Sequence, residues 1–378
     1  MSDMRYSIIT FGCQMNKSDS ERIAAVLERR GYKSTSDIKE ADLIVVNMCS
    51  VRQSAVDRVF GQCQKLSKLK IKNEKLKTVL TGCILKENRK KFRESFDLIL
   101  NIKDLPNWPK FLKEKTNVIS LLWHNYYVSC DYFKIKPKYQ NNFSAYIPIS
   151  NGCNNFCSYC VVPFTRGPLV CRNHQEILKE VKGAVKNSIK EIWLLGQNVN
   201  RYRSKSKIKN QKSKIINFAQ LLKMINNIPG DFLIRFISPH PADFTDELIG
   251  VMAKSKKIAK YLNLPVQSGD NEILKKMNRP YTVQQYKNLV KKIREKIPDI
   301  NLSTDVIVGF PGETEKQFQN TVKLFKEIKF NIAYIAKYSP RPGTAAFKLK
   351  DNVSHQEKER RWRILNDIIL TDRGRASI

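Results

Sequence analysis

Ser150-Asn151-Gly152-Cys153-Asn154-Asn155-Phe156-Cys157-Ser158-Tyr159-Cys160-Val161-Val162-Pro163-Phe164-Thr165-Arg166 is the stretch around which the chain is organised. It sets Cys153, Cys157 and Cys160 in a C-x3-C-x2-C spacing. Thiolates gathered in one short loop suit a soft metal centre better than a disulfide, which needs partners in pairs. Four thiolates close an iron–sulfur cube, so three leave one iron open for a ligand. Phe156 and Tyr159, next to the second and third cysteines, are expected to shield the cluster. A structural zinc loop lacking its fourth ligand stands beside this reading.

Outward from the loop, the strand-like run Ala145–Ile149 leads into it and a helix around Glu176–Lys186 follows it. Further strands are expected at Glu191–Leu195, Leu233–Ile237, Tyr261–Leu264, Leu302–Val308 and Asn331–Tyr338, with helices between them. Thr314 and Gln317 form a capping box at the last of these intervening helices. Six β–α units without a seventh predict an incomplete parallel barrel, whose site lies at the C-terminal ends of its strands. Gly196-Gln197-Asn198, Ser238-Pro239-His240-Pro241, Pro265-Val266-Gln267-Ser268-Gly269, Gly309-Phe310-Pro311-Gly312-Glu313 and Arg341-Pro342-Gly343-Thr344 end successive strands, on the face that carries the cysteine loop. Each is also an ordinary turn by composition.

The first 122 residues repeat the alternation on a smaller scale. Strands are expected at Tyr6–Phe11, Leu43–Asn47, Thr78–Thr81 and Phe96–Leu100, and a helix capped by Ser18 and Glu21 follows the first. This pattern predicts a small parallel α/β sheet covered on both faces. Cys13, Cys49 and Cys83 each follow a strand, where open α/β sheets place their ligands. They make a second three-cysteine site; three buried thiols of no chemical role would have to explain the same placement three times. Cys63, Cys130 and Cys171 lack it and read as spare thiols.

The 378 residues carry 68 Lys and Arg against 35 Asp and Glu, a net charge of +33 that favours a polyanionic partner, nucleic acid first. A lysine-rich compositional bias accounts for the same excess, as in the run 65–77. No stretch nears the ~18 apolar residues of a membrane span, and the N-terminus has no signal-peptide block. Nine cysteines without a secretory context point to metal or redox chemistry in the cytoplasm. Residues 123–142 read as the connection between domains, Arg201–Lys214 as a basic insertion or plain surface loop, and Glu357–Arg361 as a surface helix.

The C-x3-C-x2-C loop with Tyr159 before its last cysteine resembles the radical S-adenosylmethionine enzymes. In them the open iron binds S-adenosylmethionine, and one-electron reduction yields a 5′-deoxyadenosyl radical. Thr10-Phe11-Gly12-Cys13-Gln14-Met15-Asn16, Asn47-Met48-Cys49-Ser50-Val51-Arg52, Thr81-Gly82-Cys83, Ser238-Pro239-His240-Pro241, Lys275-Lys276-Met277-Asn278-Arg279 and Tyr338-Ser339-Pro340-Arg341-Pro342-Gly343-Thr344 resemble the methylthiotransferase family within them. The resemblance implies two [4Fe–4S] clusters, one on Cys153, Cys157 and Cys160 and an auxiliary one on Cys13, Cys49 and Cys83. It also implies S-adenosylmethionine contacts by Tyr159, Gly196, Gln197, Asn198, Gln267, Gly309, Gly312 and Glu313.

The implied activity is 2-methylthiolation of N6-isopentenyladenosine beside the tRNA anticodon, by a cytoplasmic monomer whose reductant and sulfur donor stay open. Sister branches acting on threonylcarbamoyladenosine or a ribosomal-protein aspartate are the alternatives, with a non-catalytic cluster-bearing RNA-binding protein as a more distant one. The domains expected are 1–122 for the auxiliary cluster and 143–372 for the barrel. Three departures from the family pattern stand out: Gly167-Pro168-Leu169-Val170-Cys171-Arg172 after the loop, Asn263 where histidine is usual, and no small C-terminal RNA-binding β-barrel before Ile378.

Overall fold

The central strand of the first unit, Leu43–Cys49, is buried at every residue, the mark of a parallel strand covered on both faces. Alternation along it sorts the two covers. Leu43 and Val45 join Ile23, Leu27 and Trp108 on one face, while Ile44 and Val46 join Val59, Leu66 and Phe92 on the other. The computed structural model describes residues 4–51, 53–113, 131–206 and 214–375. Its first sheet is five-stranded and parallel, in the order Lys33–Ser34, Arg5–Phe11, Leu43–Cys49, Lys77–Cys83, Leu98–Ile99.

Several expectations are corrected here. Lys33–Ser34 adds an edge strand too short to show a period. The first helix runs Gln14–Glu28 with Cys13 as its N-cap, so Ser18 and Glu21 lie buried inside it instead of capping it. Asn16 closes the turn by accepting the Cys13 N–H through Oδ1 at 3.3 Å. Tyr132 and Phe133, expected in the connection, are buried with Trp108 in the first unit's core. Residues 123–130 of that connection, including Cys130, lie outside the described residues.

The second unit is an arc of six parallel strands taken in chain order: Ser144–Pro148, Glu191–Leu195, Leu233–Phe236, Tyr261–Asn263, Asn301–Val308 and Ile332–Lys337. Between the third and fourth strands the arc is held by a single bridge, Ile234 to Ile258. Helices His174–Lys186, Phe218–Asn226, Asp246–Lys254, Val283–Lys296 and Glu315–Ile328 turn their apolar faces into one core with the strands. Thr314 caps the last of these with Gln317, as its sequence requires.

Two expectations in this unit are corrected as well. The basic segment forms an antiparallel hairpin, Arg203–Ser206 against Lys214–Asn217, and its residues 207–213 lie outside the described residues. The helix His355–Arg375 is no plain surface helix, because Leu365 and Ile369 enter the barrel core and Arg361 is 4% exposed. Among the described residues no helix is long and apolar enough to cross a membrane.

Candidate active site

The first trio is assembled by strand register. Cys49 and Cys83 are direct partners at the ends of adjacent parallel strands. Gly82 stands at φ +108°, where a Cβ would come within 2.2 Å of the Met48 carbonyl oxygen, so the turn that delivers Cys83 requires glycine. Asn16 and Asn47 lock the third cysteine to the second. Asn16 Nδ2 donates to Asn47 Oδ1 at 2.9 Å, and Asn47 Nδ2 donates back to the Asn16 carbonyl at 2.8 Å. Cys13 is exposed, whereas Cys49 and Cys83 are buried. The Cys83 thiol is held down to about 7, first by the hydrogen bond from Cys49 and then by the Arg166 guanidinium; Cys49 is pushed up by the same bond.

Cys153, Cys157 and Cys160 hang on a loop tied down at several backbone points. Gly152 N–H donates to Gln197 Oε1 at 2.5 Å. Cys153 N–H donates to the Gly167 carbonyl at 3.1 Å, and Ser158 N–H to the Met277 carbonyl at 3.0 Å. Asn278 Nδ2 donates to the carbonyls of Asn155 and Phe156 at 3.2 and 3.0 Å. Arg279 Nη1 lies 3.5 Å from Cys157 Sγ. Burial pushes the Cys160 thiol up to about 12 and raises Cys153 too, so these sulfurs carry charge at neutral pH only when a metal draws it.

The two aromatic residues part company. Tyr159 packs toward Met277, Phe310 and Tyr338. Phe156, at φ +47°, is 57% exposed and lies against the exposed Phe164.

The strand-end residues converge on the same face. A Cβ on Gly196 would lie 2.5 Å from Ser150 Oγ, so the second strand end approaches the cysteine loop closely. Asn198 Nδ2 donates to Asp243 Oδ2 at 2.7 Å. His240 Nδ1 accepts the Ala242 N–H at 3.3 Å, which leaves the proton on Nε2. Burial first, then the Arg279 and Arg201 charges, push His240 down to about 3, so it is a neutral donor. Gln267 takes φ +71° where it bridges in parallel to Val306.

Gly309 and Gly312 also take positive φ, +68° and +75°. The Gly309 N–H and Arg361 Nη1 donate to Glu313 Oε2 at 2.6 and 2.8 Å, so this carboxylate braces the turn. Asn278, Arg279 and Arg361 touch these residues, and sequence reasoning did not single them out. The first two belong to the Lys275–Arg279 phrase that carries part of the family resemblance; nothing local marks the third.

Whether these residues fit the implied groups turns on donor chemistry. Each trio is all sulfur, the set that iron–sulfur clusters take. Among the described residues no three Cys, His, Asp or Glu side chains close around a single metal ion. Each trio has a buried guanidinium at one sulfur, Arg166 at Cys83 and Arg279 at Cys157, a placement suited to bound thiolates. Ser150 Oγ, Ser158 Oγ, Asn198 Oδ1 and His240 Nε2 are buried without a partner at the barrel mouth. Four unpaired polar atoms at this mouth fit a polar ligand such as S-adenosylmethionine, although Glu21, Arg22, Thr81 and Arg172 also carry one elsewhere.

A family model described as Radical SAM superfamily matches residues 147–325, and one described as Uncharacterized protein family UPF0004 matches residues 5–101. The chain is 42% identical over 369 residues to the tRNA-2-methylthio-N(6)-dimethylallyladenosine synthase of Carboxydothermus hydrogenoformans, covering 96% of this chain and 82% of that protein. Against the synthase of the same name from Clostridium novyi it is 41% identical, covering 97% and 81%. Among solved structures it resembles the radical S-adenosylmethionine methyltransferase TsrM from Kitasatospora setae, at TM-score 0.60 and 14% identity over 92% of this chain and 77% of that one. The cobalamin-dependent S-adenosylmethionine radical enzyme OxsB gives 0.55 at 14% identity over 98% of this chain and 56% of that one. At such identities the two structures speak for the fold alone. On the strength of these relatives, matched over nearly all of this chain and about four fifths of their own length, the chain belongs to the radical S-adenosylmethionine methylthiotransferases, the family of the tRNA-2-methylthio-N(6)-dimethylallyladenosine synthases.

Proposed function

We propose that this protein converts N6-isopentenyladenosine beside the tRNA anticodon to its 2-methylthio derivative. The observation that carries the reading is the meeting of two all-cysteine sites through adjacent residues, Arg166 on Cys83 and Gly167 on Cys153. Cys153, Cys157 and Cys160 would hold the cluster that binds S-adenosylmethionine, and Cys13, Cys49 and Cys83 the auxiliary one. Bound there, these groups would supply the radical chemistry and the methyl group and pass on the sulfur that an unactivated aromatic C–H bond requires, with the reductant and the sulfur donor left open.

The protein's own part is positioning. Gln197 and Asn278 hold the cysteine loop, and Arg279 donates to Cys157. Gly196, Asn198, Gln267, Gly309 and Gly312 shape the cofactor cradle, His240 offers a neutral N–H, and Tyr159 with its apolar neighbours excludes water. The first unit, with Tyr132 and Phe133 in its core, would carry one site and the barrel the other. The target base leaves the anticodon-loop stack to enter between them, as loop bases readily do. A net charge of +33 attracts the RNA backbone. We place the enzyme in the cytoplasm with its substrate, acting as a monomer.

Mass spectrometry of tRNA nucleosides tests the assignment. A deletion strain should lose 2-methylthio-isopentenyladenosine and regain it on complementation. Loss of the methylthio-threonylcarbamoyl nucleoside instead would move the protein to a sister branch.

A further inference from the structure

Arg166 ends the short helix Val162–Arg166 and is 3% exposed. Its guanidinium is spent in three directions: Nε to Cys83 Sγ at 2.9 Å, Nη1 to Asn151 Oδ1 at 3.3 Å and Nη2 to Asp19 Oδ2 at 2.7 Å. Asp19 has no exposed side-chain surface and also accepts from the Tyr132 hydroxyl, so the arginine is held on its far side by a rigid, dry partner. One residue further on, the Gly167 carbonyl accepts the Cys153 N–H at 3.1 Å. Arg279, the other guanidinium at a cysteine, stands at 3.5 Å from its sulfur.

We propose that Arg166 is a positioning residue for the first trio: it orients the Cys83 thiolate and raises the reduction potential of a cluster bound by Cys13, Cys49 and Cys83. The inference rests on the reading that those three cysteines are cluster ligands. A charged N–H donating to a ligand sulfur draws electron density from it and stabilises the reduced, more negative state. A dry surrounding strengthens that effect, because little solvent screens it. Arginine suits the task because one planar fork serves a sulfur, an amide oxygen and a carboxylate at once, which a single ammonium cannot do.

Two variants separate tuning from folding. Arg166→Lys keeps the charge opposite Asp19 but loses the fork. Arg166→Gln combined with Asp19→Asn removes the ion pair as a unit, so no lone charge is left buried. Both are made in full-length protein carrying Cys153→Ala, Cys157→Ala and Cys160→Ala, which leaves one trio. After anaerobic reconstitution with iron and sulfide, bound iron is counted and the midpoint potential is followed by electron paramagnetic resonance. The expected result is iron bound in all three proteins, a midpoint displaced to lower potential in both Arg166 variants, and altered g-values of the reduced cluster. Midpoints equal to that of the Arg166 protein in both variants overturn the role given to Arg166 and leave the ligand reading standing. Failure of the Arg166-containing protein itself to bind iron overturns the ligand reading, and the inference with it.

Discussion

Arg341 Nη1 donates to Gln53 Oε1 at 2.5 Å across 288 positions of sequence, joining the loop after the last barrel strand to the helix that follows Cys49. Burial lowers the Arg341 pKa, while Cys49 and Asp57 act in the opposite sense, so the side chain stands within electrostatic reach of the first trio. Truncating it should loosen the closure of one unit on the other. Arg341→Ala is expected to lose about 1.5–3 kcal/mol in urea unfolding, the worth of a hydrogen bond to a charged group. Methylthio product should fall while reductive cleavage of S-adenosylmethionine persists.

The division of labour between the trios predicts two separable defects. Cys153→Ala should abolish reductive cleavage of S-adenosylmethionine. Cys49→Ala should keep cleavage and end sulfur insertion. Chromatography of 5′-deoxyadenosine alongside the tRNA nucleosides reads both at once, and methylthio product from the Cys49 variant would refute the assignment.

Gly152 takes φ +84°, and a Cβ there would meet the Pro168 and Gly167 carbonyl oxygens at 2.0 and 2.4 Å. Since those atoms are backbone, the loop itself must shift. Gly152→Ala is expected to cost about 1–3 kcal/mol and to lower the iron held by the second trio. Iron analysis in a Cys13→Ala, Cys49→Ala, Cys83→Ala background isolates that loss.

Glu313 is 4% exposed, with the Arg361 guanidinium as its charge partner. Arg361→Ala leaves a buried carboxylate without that partner and should destabilise by about 3–5 kcal/mol. Glu313→Gln should be milder and should weaken S-adenosylmethionine binding through the Gly309 turn. Calorimetric titration compares the two variants.

Burial pushes the Glu21 carboxyl from an ordinary 4.5 up to about 7, against smaller opposing effects of the Gln140 N–H and Arg22. The folded protein therefore keeps this proton to higher pH than the unfolded chain does. The stability this contributes is whole below about 4.5 and is lost as pH rises to about 7. Glu21→Gln should come close to the parent near pH 4.5 and exceed it by about 3 kcal/mol at pH 8, because each tenfold difference in proton affinity between the folded and unfolded chain is worth about 1.4 kcal/mol. Urea midpoints at both pH values check the sign.

Strand positions are legible because apolar runs such as Leu43–Val46 and Val306–Val308 declare themselves locally, and so is the placement of a cysteine at or just past the end of each of three strands. The first helix start is not, because Ser18 and Glu21 have the composition of a capping box, whereas Cys13 holds the cap directly after the strand. The orientation of Phe156 is not legible either: its backbone is left-handed, φ +47°, and its ring lies against Phe164.

Local order along the chain thus determined the two α/β units, the cysteine spacing and the strand ends that carry the site. Only the folded chain decided that Arg166 meets Cys83, that Arg279 meets Cys157 and that Arg361 meets Glu313, at separations of 83, 122 and 48 residues. Periodicity tells which face of an element is apolar, a property of neighbours in sequence. Which guanidinium reaches which buried acceptor depends on strand register and on how the units close, and no short window of sequence contains that.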